Sequence, residues 1–303
     1  MKSRIWTILK WTLTAAVLIL VGLAMKKQVA KLDWRNLHLA WGWLLPALLC
    51  DLGSRATLAM ASHALFRSLG VPLPARVVLP ITWISMLGKY MPGKIATLGS
   101  AVWFFSRHGV RAELAGLVPL LANGLLLLAA LLLSVPALFH PAVAGWLGPF
   151  WWLALPALAA ALVAFHPAVF MRLLNLGVRL LKRPPVTERL TVAGMLPATA
   201  WVLLTWILLG LTTFFICRAF APLPWTAAPL VVEGTLVAGL AGIAAFFAPA
   251  GIGAREGALL VMLGDIAWIP VVVILLRLLQ TVSDLAMGGL GWAMLPAAEK
   301  KSE

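Results

Sequence analysis

Apolar stretches of about twenty residues recur along the whole of this 303-residue chain, and they restrict its fold more than any motif does. A helix of that length crosses ~30 Å of hydrocarbon. Inside lipid every backbone N–H and C=O must find its partner within the protein, which a helix satisfies by itself. Composition closes the soluble alternative. The chain is 62% hydrophobic and 11% charged, whereas a soluble domain carries about 25% charged residues. No polar stretch is large enough for a second domain. The expectation is one all-α, polytopic membrane domain over 1–303.

The net charge of +14 invites a nucleic-acid reading. The Lys and Arg residues, however, fall in short runs between apolar segments, where anionic lipid headgroups would meet them. The expected partners are therefore membrane lipids and not nucleic acid. Cys50 and Cys217 both lie inside apolar segments with no His or Cys at ligand spacing. No disulfide, metal site or cofactor is expected. Residues 1–24 resemble a signal peptide, with Lys2 and Arg4 ahead of an apolar run. That run is long, lacks an Ala-x-Ala site and precedes further spans, so it reads as an uncleaved first helix.

Membrane-crossing helices are expected near 5–24, 41–66, 112–138, 150–166, 193–218 and 268–295. Two further stretches, 77–108 and 229–265, are apolar but broken at Met91-Pro92-Gly93 and at Pro249-Ala250-Gly251-Ile252-Gly253. Arms of about 14 residues make ~21 Å of helix, short for a crossing. Re-entrant hairpins explain them best; two full crossings each is the competing reading.

Basic residues set the orientation. With the N-terminus inside, the cytoplasmic segments hold Lys2 and Arg4, Arg67 and Arg76, Arg107 and Arg111, Arg172 to Arg189, and Lys300 and Lys301. The outside segments hold only Lys26, Lys27, Lys31 and Arg35, in a stretch able to lie on the membrane surface. Both termini are expected in the cytoplasm, with the protein in the inner membrane. This topology exposes a repeat. Pro72-Leu73-Pro74 precedes one broken hairpin and Pro222-Leu223-Pro224 the other. A long helix flanks each hairpin on either side, giving halves of roughly 41–138 and 193–295 that run in opposite directions. Inverted repeats with discontinuous helices are a transporter plan, with the substrate site between the repeats near mid-membrane.

Each break starts a new helix inside the membrane, and a helix N-terminus there favours an anion such as phosphate. Lys94 follows Pro92-Gly93; Arg255 follows Gly251-Ile252-Gly253. Together they form a candidate clamp for a lipid phosphodiester. The bland alternative is a kinked packed helix with Lys94 reaching to the surface. Glu256 is placed to balance Arg255 or to meet a cationic headgroup, and Glu233 lies in the first arm of the same hairpin. Buried charges cost roughly 2.5–3.5 kcal/mol each by insertion scales, so such residues are seldom idle. Asp51 and Arg55 share a face of their helix. Arg277 and Asp284, seven apart, share a face of the last one. Each pair reads as structural first, with Arg277 a further candidate for substrate binding.

The stretch from Gly88 to Lys94 (GKYMPGK), with Arg107-His108-Gly109 downstream, and the stretch from Pro249 to Gly257 (PAGIGAREG) resemble the two signature regions of the lysylphosphatidylglycerol synthase transmembrane-region family. The resemblance implies a flippase-like membrane domain that moves or handles lipid between leaflets, with Lys94, Arg255 and Glu256 in signature positions. The chain ends in PAAEKKSE soon after its last span, so no aminoacyl-transferase activity is carried over. Serine-hydrolase, nucleotide-binding and metal-protease motifs are absent from the sequence, and an enzyme is not expected. The leading expectation is a flippase-like transporter of a polar phospho- or glycolipid. The alternatives are a small-solute or ion-coupled transporter, and a non-catalytic subunit working beside lipid-biosynthesis enzymes of a glycolipid or hopanoid pathway.

Overall fold

The structure, a computed structural model, describes residues 39–90, 95–139, 154–180, 190–245, 253–266 and 268–295, with positions 148, 152, 185 and 251. The expected helix at 5–24, the basic stretch after it, Pro92, Gly93, Lys94 and Pro249 lie outside these residues. The described elements are helical: α1 (Leu44–Ser68), α2 (Ala75–Met86), α3 (Ile95–Arg107), α4 (Ala112–Leu133), α5 (Ala154–Phe165), α6 (Pro167–Leu180), α7 (Val192–Phe220), α8 (Ala228–Ala244), α9 (Ala254–Leu263) and α10 (Ile269–Met294). Among the described residues, Trp41–Ser68, Ala112–Leu133, Val192–Phe220, Trp225–Ala244 and Ile269–Met294 are long and apolar enough to cross a membrane. The protein is an all-α, polytopic membrane protein.

The centre of the bundle is α1 lying antiparallel against α7. The backbone N–H of Ala40, ahead of α1, donates to the Ala219 carbonyl near the end of α7 at 2.8 Å. At the other end a Cβ on Gly194 would lie 3.1 Å from the Ser68 Cβ. Midway, the hydroxyls of Thr57 and Thr205 share a 2.8 Å hydrogen bond. Small buried residues of α1 (Ala47, Ser54, Thr57, Ala59, Ala61) allow this close approach, the usual means of helix association where lipid removes the hydrophobic drive. Large apolar side chains such as Leu49, Leu278, Val282 and Leu285 instead point outward, which suits a hydrocarbon surround and would be a liability in water.

The main packing partners form a closed pattern. The α1 helix packs on α2, α4, α7 and α10, while α7 packs on α8, α10, α1 and α4. The arms pair as α2 with α3 and α8 with α9; α2 also meets α10 and α8 meets α4; α3 meets α4 and α9 meets α10. Exchanging α1 with α7, α2 with α8, α3 with α9 and α4 with α10 returns the same set. The two Pro-Leu-Pro segments play matching parts, with Pro74 and Pro224 extended at φ −68° and −69°. Proline's fixed φ and missing N–H suit an extended start ahead of a helix.

The described part of the crossing expected at 150–166 is α5, which ends where Pro167 begins a separate helix after His166. One expectation changes. The first arm of the second hairpin is longer than expected. With the 3-10 turn Trp225–Ala227, α8 makes a continuous 20-residue segment, while its second arm, α9, has 10 residues.

Candidate functional site

Both hairpin tips are tied to the middle of α10. Residues 277, 280, 281 and 284 share one face by helical spacing, and the tips divide that face between them. The first arm tightens into a 3-10 turn at Leu87–Tyr90, which brings Lys89 and Tyr90 to Asp284. Lys89 Nζ lies 2.6 Å from Asp284 Oδ2, and the Tyr90 hydroxyl donates to the same oxygen at 2.6 Å. The other oxygen, Oδ1, accepts from Arg55 Nε at 3.1 Å. Arg55 is itself shared: Nη1 donates to Asp51 Oδ1 at 2.9 Å and to Ser54 Oγ at 2.8 Å. Asp51 and Asp284 are almost wholly buried, so each depends on this network for the solvation it has lost.

The second tip is built by glycine. Gly251 (φ +66°) lies against the first arm so closely that a Cβ there would stand 2.6 Å from the Gly242 Cα and 2.7 Å from its carbonyl oxygen. Gly253 (φ +94°) is the N-cap of α9, and only glycine adopts such a φ without strain. Its N–H donates to Glu256 Oε2 at 2.6 Å, the reach-back contact of a capping box. Glu256 Oε1 accepts from Arg277 Nε. Arg277 and Asp284 are therefore not partners, as their shared face suggested. They hold different hairpins about 10 Å apart along α10.

Arg255, second in α9, has part of its guanidinium without a partner among the described residues. Its stem passes Gly242, and its Nε and Nη2 are buried with no hydrogen bond among the described residues. It lies within electrostatic reach of Arg277, Arg55, Glu256 and Asp51. Glu256 is committed to Gly253 and Arg277, so it does not neutralise Arg255 by contact. Among the described residues the cluster holds four bases (Arg55, Lys89, Arg255, Arg277) against three acids (Asp51, Glu256, Asp284), an excess of one positive charge beside the start of α9. That arrangement suits a monoanion with at least two oxygens.

The structure thus gathers Arg255, Glu256, Arg277, Gly251 and Gly253 from the sequence candidates. Glu233 lies early on α8, about 16 Å of helix from that arm's tip, next to the residue (Gly234) that packs on Met262 and Leu263 at the far end of α9. It is not brought to the cluster. Lys89 and Tyr90 are members to which sequence reasoning gave no role, although they directly precede Met91-Pro92-Gly93; Asp51, Arg55 and Asp284 had been read as structural.

No curated protein matched the chain. The family model described as the lysylphosphatidylglycerol synthase TM region matches residues 7–288, nearly the whole length and both hairpin tips. The chain belongs to that family.

Proposed function

We propose that the protein translocates a polar lipid between the leaflets of the inner membrane, holding the lipid phosphate at Arg255 and the start of α9. The observation that carries this reading is the buried Arg255 guanidinium, with two nitrogens unbonded beside charges that are paired elsewhere. A buried unpaired cation is costly, and a phosphodiester relieves that cost. Family membership supports a lipid-related role. The short α9, about 15 Å, supports a hairpin that turns back within the membrane, and the exchange pattern of the helices supports an inverted repeat. A shallow, open face of α3, lined by Leu98, Gly99, Val102, Trp103, Ser106 and Arg107, is mostly apolar, as an acyl chain would need. Arg107 stacks over Trp103 at 3.9 Å, at the helix end where a headgroup would lie. In this reading the protein is a carrier and not an enzyme, with both termini cytoplasmic.

The test is translocation of a fluorescent phospholipid in proteoliposomes, read by external dithionite. Arg255→Ala is expected to lower the rate roughly ten- to a hundredfold, equivalent to about 1–3 kcal/mol. Arg255→Lys should retain part of it, and the distant Arg172→Ala should leave it unchanged. An Arg255→Ala protein that folds and moves every lipid at the wild-type rate sinks the phosphate role.

A further inference from the structure

One acid in the cluster is less well compensated than the rest. Asp284 has Arg55, Lys89 and Tyr90; Glu256 has Arg277 and the Gly253 N–H. Asp51 is 0% exposed and has only a share of Arg55 on Oδ1; its Oδ2 has no hydrogen-bond partner among the described residues. Ser283 of α10 is close enough for its hydroxyl to turn toward the Asp51 carboxylate; the hydroxyl is buried and meets no partner in good hydrogen-bond geometry among the described residues. The other groups facing Asp51 are Cys50 and Arg55 on its own helix, Asp284 on α10 and Arg255 on α9, with Lys89 reaching it only through Asp284. The remaining neighbours of α1 contribute nothing titratable at this level: α2 and α4 carry only Arg76 and Glu113 in their first turns, and α7 only Cys217 and Arg218 in its last.

We infer that Asp51 is a proton-binding site and that the protein moves an anionic lipid together with a proton. The inference rests on the reading that Arg255 takes the lipid phosphate. Arg255 is one of the two cations facing the Asp51 carboxylate. When a phosphate takes up that charge, Asp51 is left with its half share of Arg55, and a proton binds more readily. By linkage the proton tightens phosphate binding to the same degree. The proton comes from the aqueous side on which the lipid loads, bonds to Oδ2, and leaves on the side where the lipid departs. Protonated Oδ2 donates to the Ser283 hydroxyl, which is free to donate to the carbonyl one turn back on α10, so both orphaned groups gain a partner. The lipid's negative charge and the proton's positive charge cancel, and the membrane potential does no work on the step.

The test uses the full chain in vesicles of phosphatidylcholine and phosphatidylglycerol. A fluorescent phosphatidylglycerol probe is added outside, and the potential is clamped with potassium and valinomycin. With the outside one pH unit more acidic, one proton per lipid gives an inside-to-outside probe ratio approaching about tenfold, since one unit is tenfold in proton activity. Asp51→Asn is expected to bring that ratio to one. A wild type that moves the probe but stays at a ratio of one overturns proton coupling and leaves the lipid reading standing. If wild type moves no probe beyond empty vesicles, the lipid reading fails, and infrared difference spectroscopy with the deacylated headgroup glycerophosphoglycerol decides the proton site. A protonated-carboxyl band that appears on adding the headgroup and is missing in Asp51→Asn supports it; no such band overturns it. Ser283→Ala, which keeps the carboxyl, should shift that band if Asp51→Asn does not fold.

Discussion

Arg277 and Asp284 stand two turns apart on α10 and grip different hairpins, Arg277 through Glu256 and Asp284 through Lys89 and Tyr90. The same helix therefore sets the distance between the two tips, and loss of either residue should be felt at both.

Asp284→Ala is expected to be the most damaging single change in the cluster. It leaves the buried Arg55 and the half-buried Lys89 with an acid removed, a loss of about 3–5 kcal/mol by the measure of broken buried pairs. Tyr90→Phe removes one charged hydrogen bond and should cost about 1–2 kcal/mol. Thermal unfolding in detergent ranks the two; equal midpoints for both variants would contradict the network.

Glu256→Gln is expected to separate stability from binding. The amide oxygen still accepts from the Gly253 N–H, so the helix start survives, while Arg277 loses its counter-charge. The site then carries two unneutralised cations. Headgroup affinity measured by calorimetry with glycerophosphoglycerol should rise, and release should slow. Weaker binding would mean that Glu256 itself contacts the ligand.

Gly251→Ala places a Cβ at 2.6 Å from the Gly242 backbone and forces a side chain onto a positive φ. Backbone cannot yield there as a flexible side chain would. The expected cost is about 1–3 kcal/mol, with translocation lost even where the protein still folds. Gly257→Ala, which meets open space, should be silent in both assays.

The orientation is checked with single cysteines at Ala144 and Thr187, in a background lacking Cys50 and Cys217. An impermeant thiol reagent should reach Ala144 from outside and Thr187 only after the membrane is opened. Labelling of Thr187 in intact cells would reverse the topology, and labelling of both positions from one side would remove the inverted repeat with it.

The second break, the Pro-Leu-Pro markers and the Asp51–Arg55 pair were legible because each is written locally: proline and glycine stop a helix, and i,i+4 spacing puts two charges on one face. The true partners of Arg277 and Asp284 were not, since spacing along α10 fixes a face and says nothing of which tip arrives at it. The length of α8 was hidden for a related reason: the 3-10 turn Trp225–Ala227 after Pro224 runs straight into it, ahead of the expected start at 229. Gly239 and Gly242 inside it are slots, one filled by the Trp206 ring and the other by Gly251 and the Arg255 stem. Lys89 and Tyr90 stood in the motif without a role because only the 3-10 turn at Leu87–Tyr90 swings them onto α10.

The hydrogen bond between Thr57 and Thr205 lies near the middle of the two helices that trade places when the halves are exchanged. Aligned on the two Pro-Leu-Pro segments, the exchange carries it to within two residues of itself. A rearrangement that gives each half the other's packing must remake the contacts of both hairpins with α4 and α10. It need not touch this one. In the translocation proposed above, the threonine pair would be the fulcrum of a rocking motion, the place where an outward-facing and an inward-facing form superimpose.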